Sequence, residues 1–350
     1  MKNSFQLTNI LKKYAVIIAW IILIIVFTIW MPGVFNSFLN IRTLLSSQAV
    51  LVIASLAVLI PIIAGDYDMS VTATLTVVNI LVAKLNVDLG LPIGLCILIG
   101  ILVGAGVGAV NGWIITRFRL NAFIVTMGMY TLLSGIALLI SLETISGVSD
   151  GLRNAVYVNR IFGISPSFFY ALILTLVIAY FLTNTMPGKR ILIVGRGENV
   201  ARLSGIKVER TRFLCFVFSG MIAAFGGVVY TGVLGGGSPT GGLGYMMSAF
   251  AAVFLGATCF KPGRFNALGT IVAVYFLSTG TNGLQLQGAQ SYVTDLFYGA
   301  ALIIAVIFAA VAVKSQEKQD AKKTNRELAK KAQTKKRPEA VSKLESEYQG

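Results

Sequence analysis

The sequence predicts an all-α protein, a polytopic transmembrane helical bundle of about ten spans with both termini cytoplasmic. Three observations carry that expectation. Of the 350 residues, 56% are hydrophobic and only 12% charged, and the mean hydropathy is +0.80. Apolar runs of about 18 residues or more recur, the length a helix needs to cross about 30 Å of hydrocarbon. The basic residues, finally, collect on alternate connecting segments.

Ten segments follow from the apolar runs, at residues 14–31, 44–63, 70–86, 91–115, 121–141, 168–186, 213–233, 246–258, 265–281 and 295–313. The first follows Lys12 and Lys13 and is too long for a secretory signal core, with no small-residue cleavage site after it; it reads as an uncleaved membrane helix. Pro61 interrupts the second run, and Gly65, Asp66 and Asp68 lie between the second and third. The fourth places Gly100, Gly104, Gly108 and Gly112 four residues apart, on one helix face where a neighbouring backbone can approach closely. Its G-x-G-x-x-A match at Gly104, Gly106 and Ala109 lacks the strand a dinucleotide site requires. Residues 142–167 form the longest outer loop, and the later outer stretch "GGGSPTGGLG" is too glycine-rich for a regular helix. The eighth segment is short, so it is tilted, broken or only partly spanning.

With the N-terminus inside, the inner segments hold 25 of the 29 Lys and Arg. Three precede the first helix, Arg117 and Arg119 follow the fourth, seven lie between Lys189 and Arg212, Lys261 and Arg264 follow the eighth, and eleven lie beyond residue 313. Only Arg42, Lys84, Arg153 and Arg160 fall outside. The net charge of +15 is therefore topological, and nucleic acid is not needed to explain it. The chain divides into a cytoplasmic N-terminus at 1–13, a membrane domain at 14–313 with an inner loop at 187–212, and a charged cytoplasmic tail at 314–350. The tail can also be drawn to anionic membrane lipid.

Enzyme chemistry finds no footing. Histidine is absent, and there is no phosphate-binding G-x-x-x-x-G-K-[ST], nucleophile elbow, zinc spacing or catalytic carboxylate pair. No catalytic residue, metal site or cofactor is expected. Cys96, Cys215 and Cys259 are scattered through apolar segments as small buried hydrophobes. The predicted spans hold almost no charge, so the chain lacks the intramembrane carboxylates of proton-driven carriers and carries no energy coupling of its own.

Two stretches stand out. In "IIAGDYDMSVTATL", Asp68 can cap the helix that begins near Met69, or the stretch can be a broken-helix junction lining a pathway for a polyhydroxylated solute. In "GRGENVARLSGIKVERTR", residues 195–212, Gly197 precedes Glu198 at a helix start and Gly205 can end that helix in the left-handed conformation. About seven helical residues are too few to stand alone in water. Val200, Leu203 and Ile206 would face solvent unless another protein's groove covers them; otherwise the stretch is an amphipathic loop folded on its own membrane domain.

These residues carry a resemblance. The chain resembles the membrane-spanning permease subunits of bacterial ATP-driven importers of the ribose/xylose/galactose type, with branched-chain amino acid permeases as distant relatives. "IIAGDYDMSVTATL" is similar to the family's G-G-I-D-L-S-V-G-S at Gly65, Asp68, Ser70 and Val71, and "NAFIVTMGMYTLLSGIALLIS" to P-x-F-I-V-T-L-G at Phe123, Ile124, Val125, Thr126 and Gly128. "VGRGENVARLSGIKVER" resembles the loop that contacts the ATPase, matching at Gly197, Asn199, Ala201, Ser204, Gly205 and Ile206. The family's N-G-L-x-L-x-G appears as Asn282–Gly288. Departures are Thr72 for glycine, Asp66 and Tyr67 for G-I, and Ser134 where arginine is common.

The resemblance implies a subunit of the bacterial plasma membrane that works with a second permease copy or paralogue. Two cytoplasmic ATP-binding subunits bind the ATP, and an extracytoplasmic solute-binding protein delivers the solute, most simply a monosaccharide. It implies an ATPase-coupling helix built from Gly197, Glu198, Asn199, Val200, Ala201, Leu203, Ser204, Gly205 and Ile206. Asp66, Asp68, Ser70, Thr126 and Asn282 are the candidate pathway residues. The rivals are an ATP-independent facilitator or channel, and the same importer carrying a nucleoside, an inositol, a signalling furanone or an amino acid.

Overall fold

The computed structural model describes residues 2–260, 263–290 and 292–307, with side chains from Tyr14 onward. The expected tail at 314–350, Lys261 and the end of the tenth segment lie outside the described residues. Helix α1 runs Lys2–Trp30, followed by α2 (Phe38–Ser47) and α3 (Ala49–Ala64), which share one long apolar run. Then come α4 (Val71–Val87), α5 (Ile93–Phe118) and α6 (Ala122–Ile140). After a short α7 (Asp150–Arg153) and a π turn at Asn154–Val158, α8 spans Pro166–Asn184. Two short helices, α9 (Met186–Val194) and α10 (Glu198–Leu203), lead into α11 (Val208–Leu234). The described chain ends with α12 (Tyr245–Gly256), α13 (Ala267–Leu286) and α14 (Tyr292–Ile307).

Among the described residues, six helices are long and apolar enough to cross a membrane, and four shorter apolar ones accompany them. Among the described residues, each of the ten apolar runs is helical, nine of them at bounds close to those expected; the tenth is helical as far as Ile307, where the described residues end. Helix α3 runs through Pro61 to Ala64, within the span drawn from the sequence, and stops at Gly65, whose φ of 95° is left-handed. Proline at that position removes only one backbone donor in a turn that was about to end.

Helix α3 is the axis of the bundle, with all of its residues buried. Its sequence is apolar all round, as a helix surrounded by neighbours must be. Beside it, α5 and α11 cross with their backbones close together, and the four-residue glycine spacing explains it. A Cβ on Gly104 would strike Gly220 O and Ala224 Cβ, and one on Gly108 would strike Phe216 O. Without those side chains the two backbones lie in van der Waals contact.

The glycine-rich stretch after α11 stays irregular, as expected. Gly236–Gly237 pairs antiparallel with Ile145–Ser146 of the 142–167 loop. The stretch then runs along α4, where a Cβ on Gly242 would press the Leu75 side chain at 2.7 Å. Buried irregular backbone needs partners. Asn79 of α4 supplies them, donating from Nδ2 to Gly236 O at 3.1 Å and accepting from Ser238 N at 2.8 Å.

Candidate functional site

Six residues, Gly65 to Ser70, connect α3 to α4, and side chains from three other helices close on them. Thr126, in the first turns of α6, accepts from Met69 N at 3.0 Å; its hydroxyl lies 3.0 Å from Tyr67 O and 2.8 Å from Ala122 O. Asp68 is buried. Its Oδ1 accepts from Ser70 N at 3.0 Å and Ser70 Oγ at 2.6 Å, and its Oδ2 accepts from Ser219 Oγ of α11 at 2.9 Å. Asn111 of α5 donates to Ser70 Oγ at 2.8 Å. Burial pushes the Asp68 carboxyl above its ordinary value, while the Ser70 and Ser219 donors pull the other way.

Asp68 thus closes the turn that starts α4 and pins α11 to the same point. Helix α4 begins at Val71 rather than near Met69, and the bond to Ser70 N falls on the residue before its first turn, so Asp68 closes the connection without capping the helix; the Ser219 bond is one that no local pattern predicts. Asp66 faces the other way. Arg212, one turn into α11, grips it with two parallel bonds, Nε to Oδ2 at 2.7 Å and Nη2 to Oδ1 at 2.6 Å. The same guanidinium donates from Nη1 to Glu198 Oε1 at 2.9 Å.

Glu198 is the first residue of α10. This helix ends as its sequence proposes: Gly205 sits at φ 75°, its N–H donates to Arg202 O at 3.0 Å, and Ile206 N–H donates to Ala201 O at 3.0 Å. That pair of bonds with a left-handed glycine is a Schellman ending. Ala201 is fully buried with Val194 and Val208, and Ile206 packs half-buried against them. The expectation that Ile206 faces solvent is therefore corrected; the Schellman turn folds it back under the helix. Val200 and Leu203 do face outward, 60% and 90% exposed. Gly197, Glu198, Asn199 and Ser204 surround them at the surface, Ser204 bonding its hydroxyl to Val200 O.

The structure therefore brings Asp66, Asp68, Ser70 and Thr126 together, and α10 is tied to them through the Glu198–Arg212–Asp66 bonds. Asn282 stands apart, near the C-terminal end of α13, with its Oδ1 buried and unpaired. Sequence reasoning passed over Asn111, Ser219 and Arg212. Asn111 left one trace, a lone amide in an apolar run on the buried glycine face. Arg212 was counted only as one more inner-loop charge. Among the described residues, no group of His, Cys, Asp or Glu is arranged to hold a metal ion.

The family model for the branched-chain amino acid transport system permease component matches residues 40–306. The chain belongs to that family. Family membership makes it a transport permease component, not an enzyme, and a multi-pass protein of the inner membrane. It is similar to the L-arabinose transport system permease protein AraH of Escherichia coli (strain K12), 28% identical over 92% of this chain and 96% of that one. It is 31% identical to the ribose import permease protein RbsC of Bacillus subtilis (strain 168), over 87% of this chain and 95% of the other. Against the D-allose transport system permease protein AlsC of Escherichia coli (strain K12) identity is 28%, over 87% and 94% of the two chains. No solved structure matches the chain.

Proposed function

We propose that the chain is the membrane-spanning subunit of an ATP-driven importer of a monosaccharide. In this reading two permease copies, or this chain and a paralogue, form the pathway through ten spans, with both termini cytoplasmic. Partner subunits in the cytoplasm bind and hydrolyse the ATP, and an extracytoplasmic binding protein delivers the sugar. The three relatives named above are called permeases for arabinose, ribose and allose, all aldoses, which supports that substrate class.

One observation carries the ATPase docking. Helix α10 is six residues long, held at both ends, and leaves Leu203 90% exposed on the most basic connection of the chain. A buried Leu contributes about 1.5–3 kcal/mol over an exposed one. An apolar face on so small a helix gains that contribution only when a partner's groove covers it. The buried junction beside it supports a role for Asp68, Ser70 and Thr126 in holding the helix ends that move during transport, rather than in contacting sugar.

The test is reconstitution of the permease with its ATPase and its solute-binding protein. ATP-dependent accumulation of D-ribose, L-arabinose or D-allose in vesicles is expected. Equilibration of sugar without ATP would instead favour a facilitator.

A further inference from the structure

The inference concerns Arg212 and rests on the importer reading. Its guanidinium has two arms of different character. The arm to Asp66 is bidentate and sheltered, with the Asp66 side chain only 6% exposed. The arm to Glu198 is a single bond at 2.9 Å to a side chain that is 47% exposed. Paired planar forks hold their geometry, whereas single exposed ion pairs form and break readily. A displacement of α10 therefore breaks or strains the Glu198 arm first and leaves Arg212 on Asp66.

Among the described residues, the other cation beside Glu198 is Arg202, at 3.8 Å, and Arg202 is itself engaged by Glu209 at 2.6 Å. The charges alternate from Glu209 through Arg202, Glu198 and Arg212 to Asp66, so a path of opposite charges runs from the surface of α10 to the α3–α4 connection. That connection is where Asp68, Ser70, Ser219, Asn111 and Thr126 join α4, α5, α6 and α11.

We propose that Arg212 is a positioning residue that passes the position of α10 to the α3–α4 connection, with Glu198 as its releasable arm. When a partner settles on Val200 and Leu203, Glu198 moves with the helix and lets go of Arg212, and the guanidinium, now held by Asp66 alone, resets the α3–α4 connection.

The test uses the full permease, with and without the partner ATPase, followed by hydrogen–deuterium exchange of the backbone. In the native protein the ATPase should slow exchange at residues 198–206 and alter it at 64–70. In Glu198→Gln the ATPase should still protect 198–206, but the change at 64–70 should be lost, and sugar transported per ATP hydrolysed should fall several-fold. Arg202→Gln, which leaves the Arg212 arms intact, should keep both. Because Arg212→Gln alone strands Asp66, the paired variant Asp66→Asn/Arg212→Gln is used; in that background Glu198→Gln should have no further effect. A change at 64–70 that survives Glu198→Gln would overturn the relay while leaving the docking intact. Absence of any protection at 198–206 in the native protein would remove the docking reading itself, and the relay with it.

Discussion

The backbone of Gly195 lies against the carbonyl oxygen of Ile63, so closely that a Cβ at 195 would overlap it. Gly195 closes α9 with an ordinary helical φ of −68°, so its need for glycine comes from this contact and not from the backbone angle. The turn between α9 and α10 is thereby seated on the last turn of α3. Gly195→Ala should push the two apart. We expect intact membrane insertion, a cost of about 1–3 kcal/mol in thermal stability in detergent, and weakened coupling between ATP hydrolysis and uptake. Unchanged stability and coupling would show that the turn is free to move off α3.

Asp68 accepts three hydrogen bonds from Ser70 and Ser219. An amide oxygen can keep the Ser70 pair, and the Ser219 hydroxyl can rotate to accept from the new amide nitrogen. Asp68→Asn should therefore retain assembly and much of the transport. Asp68→Leu leaves buried donors without acceptors, at about 1–3 kcal/mol each, and should lower both yield and transport. An Asp68→Asn protein that assembles normally yet transports nothing would make the carboxylate charge part of the mechanism.

The glycine face of α5 gives a paired comparison. Gly106 points away from the bundle with no heavy atom within 4 Å of a Cβ, so Gly106→Ala should be neutral or stabilise by about 0.5–1 kcal/mol. Gly108→Ala meets Phe216 O and should destabilise. Melting curves of the two variants, measured side by side, should move in opposite directions or differ by several degrees.

Orientation is checked by single cysteines at Arg117 and Asp150 in a background lacking Cys96, Cys215 and Cys259, all three of which are buried. Both new positions are exposed, Arg117 in the last turn of α5 and Asp150 in the 142–167 loop. An impermeant thiol reagent added outside intact cells should label position 150 and spare 117. The reverse pattern would invert the membrane and place α10 on the wrong side for an ATPase.

Much of the fold could be read from local pattern. The apolar runs set the helices, and the four-residue glycine spacing named the α5 face that meets α11. Gly205 marked the end of α10 because only the left-handed turn satisfies the last carbonyls there. Contacts between distant segments could not be read that way. Arg212 and Asp66 are separated by 146 positions, and nothing in either stretch says that α11 starts where α3 ends. The same limit hid Ser219 behind Asp68. Ile206 was misplaced for a different reason: helical spacing was extended past Gly205, where the chain reverses.

Leu203→Asp bears on the docking of α10 without disturbing the permease, because the side chain is 90% exposed and touches no core cluster. The variant should insert and melt like the native protein. Losing about 1.5–3 kcal/mol of partner burial, before the desolvation of a carboxylate, corresponds to at least about a tenfold weaker complex. Co-purification of the variant with its ATPase, together with ATP-driven sugar uptake in vesicles, is the decisive measurement. Loss of both, with native stability, is the predicted result; full ATPase recovery and native uptake would contradict it and leave α10 an inner loop with no partner.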